Sequence, residues 1–200
     1  MLRPQLGPTL TLPALYDTCT SPTLLSDTRQ REGRHNNVLT AAARRGFPVQ
    51  PAQLSVGDYM LVSPEGLTSR ATIDTKRGLG EVAQNLTVER DRVSREMARA
   101  RSMGMVLLFL VELDEDEFAN VDTSATLCDV CPRSASCRHD GTCAQHGVTA
   151  DFSSPRATLL AFADFARSWG SLVAYCPVDV TGDVVLDLLT TGQTVDGRQL

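Results

Sequence analysis

The stretch Leu54-Ser55-Val56-Gly57-Asp58-Tyr59-Met60-Leu61-Val62-Ser63, followed by Pro64-Glu65-Gly66 and by Arg70-Ala71-Thr72-Ile73-Asp74-Thr75-Lys76, decides the fold of this chain. Val56-Gly57-Asp58 reads as a tight turn into a strand, Tyr59 to Ser63, and Pro64-Glu65-Gly66 as the next turn. Arg70 to Thr75 alternates polar and apolar residues, so the two runs make a hairpin. A hairpin brings Asp58, at the start of one strand, close to Asp74-Thr75-Lys76, at the end of the other.

Upstream, Leu24, Leu25 and Asp27 lie on a short strand-like run, and a helix with Val38, Ala41 and Ala42 on one face ends near Gly46. Phe47 to Leu54 is extended, with Pro48 and Pro51 arguing for a sheet edge. Downstream, Val82, Leu86, Val93, Met97 and Ala100 repeat at helical spacing, which predicts one helix from Glu81 to Met103. Met105 to Leu113 is an apolar run expected of a buried central strand. Ser154 to Trp169 is an amphipathic helix with Leu159, Phe162, Ala166 and Trp169 together. Ser171 to Cys176 is a strand, and Val180 to Leu189 is a closing helix. The order predicts an α/β fold around one mixed central sheet flanked by helices, with no internal repeat.

A chain of 200 residues suits one main domain. Apolar residues at 42% and charged residues at 22% exclude a disordered tail, a collagen and a coiled coil. The longest apolar run, Met105 to Val111, is too short to span a bilayer, so no membrane helix is expected. Pro4, Gly7 and Pro13 break the stretch after Arg3, which makes residues 1–21 an extended arm rather than a secretory leader. Residues 191–200 read as a frayed tail.

The net charge of −5 hides an asymmetry: residues 1–110 carry a net +4 and residues 111–200 a net −9. A local basic surface, not the pI, decides whether nucleic acid binds. Two arginine groups offer one. The first is Arg29, Arg31, Arg34, Arg44 and Arg45; the second is Arg90, Arg92, Arg95, Arg99 and Arg101, of which Arg92, Arg95 and Arg99 share a helix face away from the apolar one. A solvated helix face is the plainer explanation of that second group. Of the 19 basic residues 18 are arginine, and Lys76 is the single lysine. Arginine replaces lysine at most surface positions but not where a compact ammonium is required, so Lys76 singles out its neighbours.

Asp58, Asp74 and a main-chain carbonyl can hold magnesium or manganese, hard cations that take oxygen ligands. Such an ion assists deprotonation of water and stabilises charge on a phosphate, and the adjacent Lys76 orients the water or the phosphate. This is the chemistry of phosphodiester hydrolysis. By itself the D-x15-D-x-K spacing is a weak pattern, and acids at turns and hairpin ends produce it without any metal.

Ser26-Asp27-Thr28-Arg29-Gln30, Leu54-Ser55-Val56-Gly57-Asp58-Tyr59, Ile73-Asp74-Thr75-Lys76 and Leu108-Phe109-Leu110-Val111-Glu112, in that order, resemble the successive motifs of the XPF-type nuclease domain. Asp91-Arg92-Val93-Ser94-Arg95-Glu96 resembles the helix that follows that family's metal site. The resemblance covers residues 22–113 in register and 154–190 more loosely. It implies a restriction-endonuclease-like fold over residues 22–190 and a short prokaryotic or phage-type member. It also implies that Asp27, Asp58 and Asp74 bind magnesium, or manganese, and that Lys76 acts at the scissile phosphate. Arg29 would hold the DNA backbone, and Arg92 would support the helix or the DNA; the arginine face of the helix adds Arg95 and Arg99 as candidate DNA contacts. Glu81 stands for the family acid after the lysine, or else for a helix N-terminal residue favoured by the dipole. Glu112 reads as structural. Thr75 replaces the arginine of the family's Glu-Arg-Lys triplet, and Gln30 replaces a glutamate.

Cys128, Cys131, Cys137 and Cys143 fall within 16 residues, whereas Cys19 and Cys176 lie apart. The region has few large apolar residues, so an insert over residues 120–150 needs a staple. Zinc held by the four thiolates suits this spacing, with His139 and His146 as alternative ligands; an iron-sulfur cluster, disulfides and free thiols are the other readings. His35 reads as a surface residue.

The expected protein is a metal-dependent endonuclease of branched, flapped or forked DNA in repair, recombination or phage replication. The resemblance further implies a homodimer in a reducing cytoplasm, bacterial or phage-infected, and favours DNA over RNA. The alternatives are a catalytically inactive DNA-binding scaffold and a zinc-dependent interaction module.

Overall fold

The computed structural model describes residues 22–29, 33, 36–66, 68–121 and 155–191. Among the described residues six strands form one mixed sheet in the order β2-β1-β3-β4-β5-β6. They are β1 Thr23–Asp27, β2 Val49–Ala52, β3 Tyr59–Val62, β4 Ala71–Arg77, β5 Val106–Leu113 and β6 Leu172–Pro177. The expected hairpin is present as the antiparallel pair β3 and β4, and β1 lies antiparallel to β3. β2 pairs parallel to β1 as the edge strand that Pro48 and Pro51 suggested, while β4, β5 and β6 are parallel to one another.

β5 shows why the sheet has two covered faces. Its side chains alternate, and both sets are apolar as far as Glu112 near the strand end. Leu107, Phe109, Val111 and Leu113 join one core, with Val173 and Tyr175 of β6. Leu108 and Leu110 join another, with Leu24, Tyr59, Leu61 and Ile73. A strand buried on both faces reads as an unbroken apolar run, as this one does. Helices α2 (Gly78–Leu86), α3 (Arg90–Ser102), α4 (Glu115–Val121) and α5 (Pro155–Ser168) belong to the first face. Helices α1 (Asn36–Arg44) and α6 (Thr181–Thr191), the latter after a short 3-10 turn at Val178–Val180, cover the second. The predicted apolar positions Val82, Leu86, Val93, Met97 and Ala100 are all buried; full burial of a Val or Met side chain contributes about 1.5–3 kcal/mol.

The structure corrects three expectations. The helix expected from Glu81 to Met103 is two helices, broken at Thr87-Val88-Glu89. Thr87 donates its hydroxyl to Ala83 O at 2.8 Å, and the Glu89 amide bonds to Gln84 O at 2.9 Å, so α2 closes there. Two β-branched residues in succession, with Val88 89% exposed, give the helix no packing reason to continue. The acidic stretch after β5 forms α4, which the sequence reading lacked. Asp114 Oδ1 accepts from the Glu117 amide at 2.7 Å and Glu117 Oε2 from the Asp114 amide at 3.2 Å, a reciprocal capping box.

Among the described members of the first arginine group, Arg44 and Arg45 do not contribute a free basic surface. Arg44 pairs with Asp183, and Arg45 with Asp187 at 2.8 Å, so α6 neutralises that side of α1. Arg31, Arg34 and His35 lie outside the described residues. So do residues 1–21 and 192–200, and Cys128, Cys131, Cys137 and Cys143 with the histidines of the expected insert.

Candidate active site

Strand pairing brings the main chains of three acidic residues together. Asp27 ends β1, and its amide donates to Asp58 O at 2.8 Å; the Asp58 amide in turn donates to Ile73 O at 2.6 Å, one residue before Asp74. Because β4 runs on past the start of β3, the Thr75 amide has no strand partner on that side. Asp58 supplies one: its Oδ2 accepts from Thr75 N and from Thr75 Oγ1, both at 2.8 Å. Gly57 makes the turn possible. Its φ is +70°, and a Cβ there would lie 2.3 Å from Thr72 Oγ1 and 2.9 Å from Ile73 O, so neither the backbone conformation nor the space admits another residue.

Asp74 and Lys76, two residues apart on β4, share a face of the sheet. Lys76 Nζ donates to Asp74 Oδ2 at 2.7 Å and lies 5.4 Å from the centre of the Phe109 ring. Lys76 is only 3% exposed, which for a lysine requires a counter-charge. Burial pushes the Asp74 carboxyl up to about 8 against the pull of Lys76, and the charges of Asp58 and Glu96 add to the rise. Lys76 is held above its ordinary value. Burial opposes its charge, but Asp74, Glu96 and Glu81 together outweigh that cost. Glu81 stands 3.9 Å from Lys76 Nζ and accepts from the Arg77 amide at 2.9 Å at the start of α2. It faces the lysine and also serves as a helix N-terminal acid.

All nine residues expected at the site from Asp27 to Arg99 line one cleft of about 460 Å³: Asp27, Arg29, Asp58, Asp74, Lys76, Glu81, Arg92, Arg95 and Arg99. The arginines differ in their engagement. Arg29 grips Asp27, with Nη2 to Oδ2 at 2.7 Å and Nε to Oδ1 at 3.2 Å, and also bonds Leu54 O. Arg92 donates to Glu89 at 2.6 Å, Asn85 Oδ1 at 3.2 Å and Glu96 at 3.4 Å. Arg99 donates to Ser55 O at 3.0 Å. Arg95 has no hydrogen-bond or ion-pair partner among the described residues. Arg90, by contrast, stacks over Phe165 at 4.5 Å and belongs to the packing.

The sequence reading gave Glu96 no role. Its signal was present: it follows Arg92 by four residues, so both project from one side of α3.

The donor set suits a hard divalent cation. Asp58 and Asp74 each commit Oδ2 to a protein donor, and their Oδ1 atoms have no partner among the described residues. Carboxylate oxygens are what magnesium and manganese take, with water and substrate oxygens completing the shell. Asp27, by contrast, has both oxygens on Arg29. Accordingly, among the described residues no three acidic, histidine or cysteine side chains stand grouped as a ready metal site.

No family model matches the sequence, and no curated protein does. Among solved structures the chain is similar to XPF from Aeropyrum pernix, with 20% identity and a TM-score of 0.48 over 84% of this chain and 63% of that chain. This chain thus spans less than two thirds of that protein's length.

Proposed function

We propose that this chain is a metal-dependent DNA endonuclease that hydrolyses phosphodiester bonds in branched, flapped or forked DNA, in repair, recombination or phage replication. The observation that carries the reading is that Asp58, Asp74 and the single, buried lysine meet in one cleft whose wall is an arginine face of α3. The ordered motifs of residues 22–113 favour DNA, and branched DNA within it, as the substrate.

A magnesium or manganese ion bound by Asp58 and Asp74 would supply positive charge against the phosphate and ease deprotonation of the attacking water. Lys76 spends one N–H on Asp74; a remaining one donates to the attacking water or to a phosphate oxygen. Arg95 is the readiest phosphate contact, because nothing among the described residues competes for it. Arg29, anchored on Asp27, together with Arg92 and Arg99 lines the track of the strand. In this state Asp27 acts as the anchor of Arg29; as a metal ligand it would first have to release that side chain.

The four cysteines at 128, 131, 137 and 143 fit zinc or an iron-sulfur cluster by spacing. Elemental analysis of a variant with Cys128 and Cys131 changed to serine tests this, and unchanged zinc and iron content refutes it.

The test of the central reading is cleavage of labelled flap, fork and plain duplex DNA with magnesium by the wild type and by Asp74→Asn. Cutting of flap or fork by the wild type alone is expected. Absence of cutting with both magnesium and manganese, while branched DNA still binds, would leave a DNA-binding scaffold instead.

A further inference from the structure

The turn that carries Asp58 has few secondary-structure partners of its own, yet its main-chain polar groups are bonded almost one after another. Ser55 O accepts from Arg99 Nη1 at 3.0 Å, and Val56 O lies 3.0 Å from Thr72 Oγ1. The Gly57 amide donates to Glu96 Oε1 at 3.3 Å, and the Asp58 amide donates to Ile73 O at 2.6 Å. Two of these four bonds come from α3, from residues three apart and so on the same side of that helix. They reach the turn two residues apart. Val93, Met97 and Ala100 fix α3 itself in the core, so the grip comes from a rigid element.

Glu96 adds to the negative charge that favours the ammonium of Lys76, yet its place on the helix calls for a further task. It is an acid set among Arg92, Arg95 and Arg99, in a wall that under the proposed function meets a polyanion. Repulsion of phosphate would act against binding, so the carboxylate needs a compensating task. Its side chain is only 19% exposed, with one oxygen on Gly57 and the other 3.4 Å from Arg92. Removing the acceptor would leave unpaired the amide of Gly57, itself at positive φ.

We propose that Glu96 and Arg99 form a two-point clamp from α3 on the Ser55–Gly57 turn, making both positioning residues that fix the Asp58 carboxylate against Thr75. The role assigned to Asp58 rests on the nuclease reading; the clamp itself does not. Arg99 is thereby a holder of the turn first and a phosphate contact second. On the turn Glu96 works through its acceptor oxygen, a task apart from the charge it presents to Lys76 and from that of a metal ligand.

The test uses the full chain without metal, and hydrogen exchange read by mass spectrometry over residues 53–60, with the β5 amides as the control for an intact fold. Loss of one hydrogen bond of ordinary strength corresponds to exchange faster by about tenfold. That acceleration is expected for Glu96→Ala and, less strongly, for Arg99→Ala, with β5 unchanged. Glu96→Gln keeps an acceptor and should exchange within about twofold of wild type. Manganese titration of the same proteins should show weaker binding in Glu96→Ala and near-normal binding in Glu96→Gln. Cleavage, where the wild type cuts, should lose kcat in Glu96→Ala without a rise in KM for DNA.

Unchanged exchange in Glu96→Ala, or equal acceleration in the Gln and Ala variants, overturns the clamp. Should Glu96→Ala not fold, unchanged exchange in Arg99→Ala overturns it equally. A wild type that never cuts, paired with accelerated exchange in Glu96→Ala, overturns the nuclease reading and leaves the clamp standing.

Discussion

Helices α1 and α3 both present arginines, and the two groups meet opposite fates. At the end of α1, Arg44 and the following Arg45 face Asp183 and Asp187 of α6, so their charge is matched within the protein. On α3, Arg92 and Arg99 are partly spent on internal acceptors, and Arg95 is spent on none among the described residues. Counting bases along the sequence makes the two helices look equivalent. Pairing makes them different, and only the α3 group opens onto a cleft with acids and a lysine at its base.

The difference can be broken in four ways, taken from the largest effect downward. Lys76→Met removes the counter-charge of buried Asp74, and urea unfolding above pH 8, where that carboxyl is ionised in the wild type, should show a loss on the order of 3 kcal/mol. Arg44→Ala, at a solvent-exposed pair, should leave the midpoint where it is. Next, Asp58→Asn should slow cleavage of flap DNA by about 100-fold, the usual cost of removing one group that stabilises charge at a reacting centre. Asp183→Asn, at the other end of the comparison, should cut at the wild-type rate.

Two glycines sharpen the contrast on the stability side. Gly57→Ala places a Cβ against Thr72 and Ile73 at positive φ, and thermal or urea unfolding should register about 1–3 kcal/mol. Gly46→Ala, at φ +74° with nothing within 4 Å, carries backbone strain alone and should cost less. The smallest effect concerns binding. Arg95→Ala should lower the slope of log affinity for DNA against log salt by about 1, as loss of one phosphate contact does. Arg45→Ala should leave that slope unchanged; an equal drop in both variants would abolish the distinction between the helices.

Much of the fold was legible because the local signals agreed with the tertiary ones. The β3 and β4 hairpin followed from its turns, β5 from an apolar run fit for a strand covered on both faces, and α5 from its apolar stripe. What escaped the reading depended on partners distant in sequence or on caps. The break between α2 and α3 is invisible to periodicity, since Leu86 and Val93 are seven residues apart and both still point inward. Helix α4 is announced only by the pair Asp114 and Glu117. The neutralisation of Arg44 and Arg45 required knowing that α6 packs on α1, where a Cβ on Gly182 would lie 2.3 Å from Asn37 O.

The candidate site was legible in its parts and not in its connections. Asp27, Asp58, Asp74 and Lys76 were read from ordered motifs, and the structure brings them into one cleft. The grip of Arg29 on Asp27 and of Thr75 on Asp58 is a matter of side-chain geometry that spacing does not carry. Glu96 was passed over because an acid amid arginines reads as an ordinary helix-face ion pair.

The outer rim of β2 bears on how this protein keeps to itself. In the parallel ladder Leu24 N bonds to Pro48 O and Thr28 N to Ala52 O, so alternate residues of β2 turn inward and Pro51 turns its nitrogen outward. A ring nitrogen offers no proton to an incoming strand. With only four residues and that gap among them, this border is a poor template for stacking one molecule's sheet onto another's.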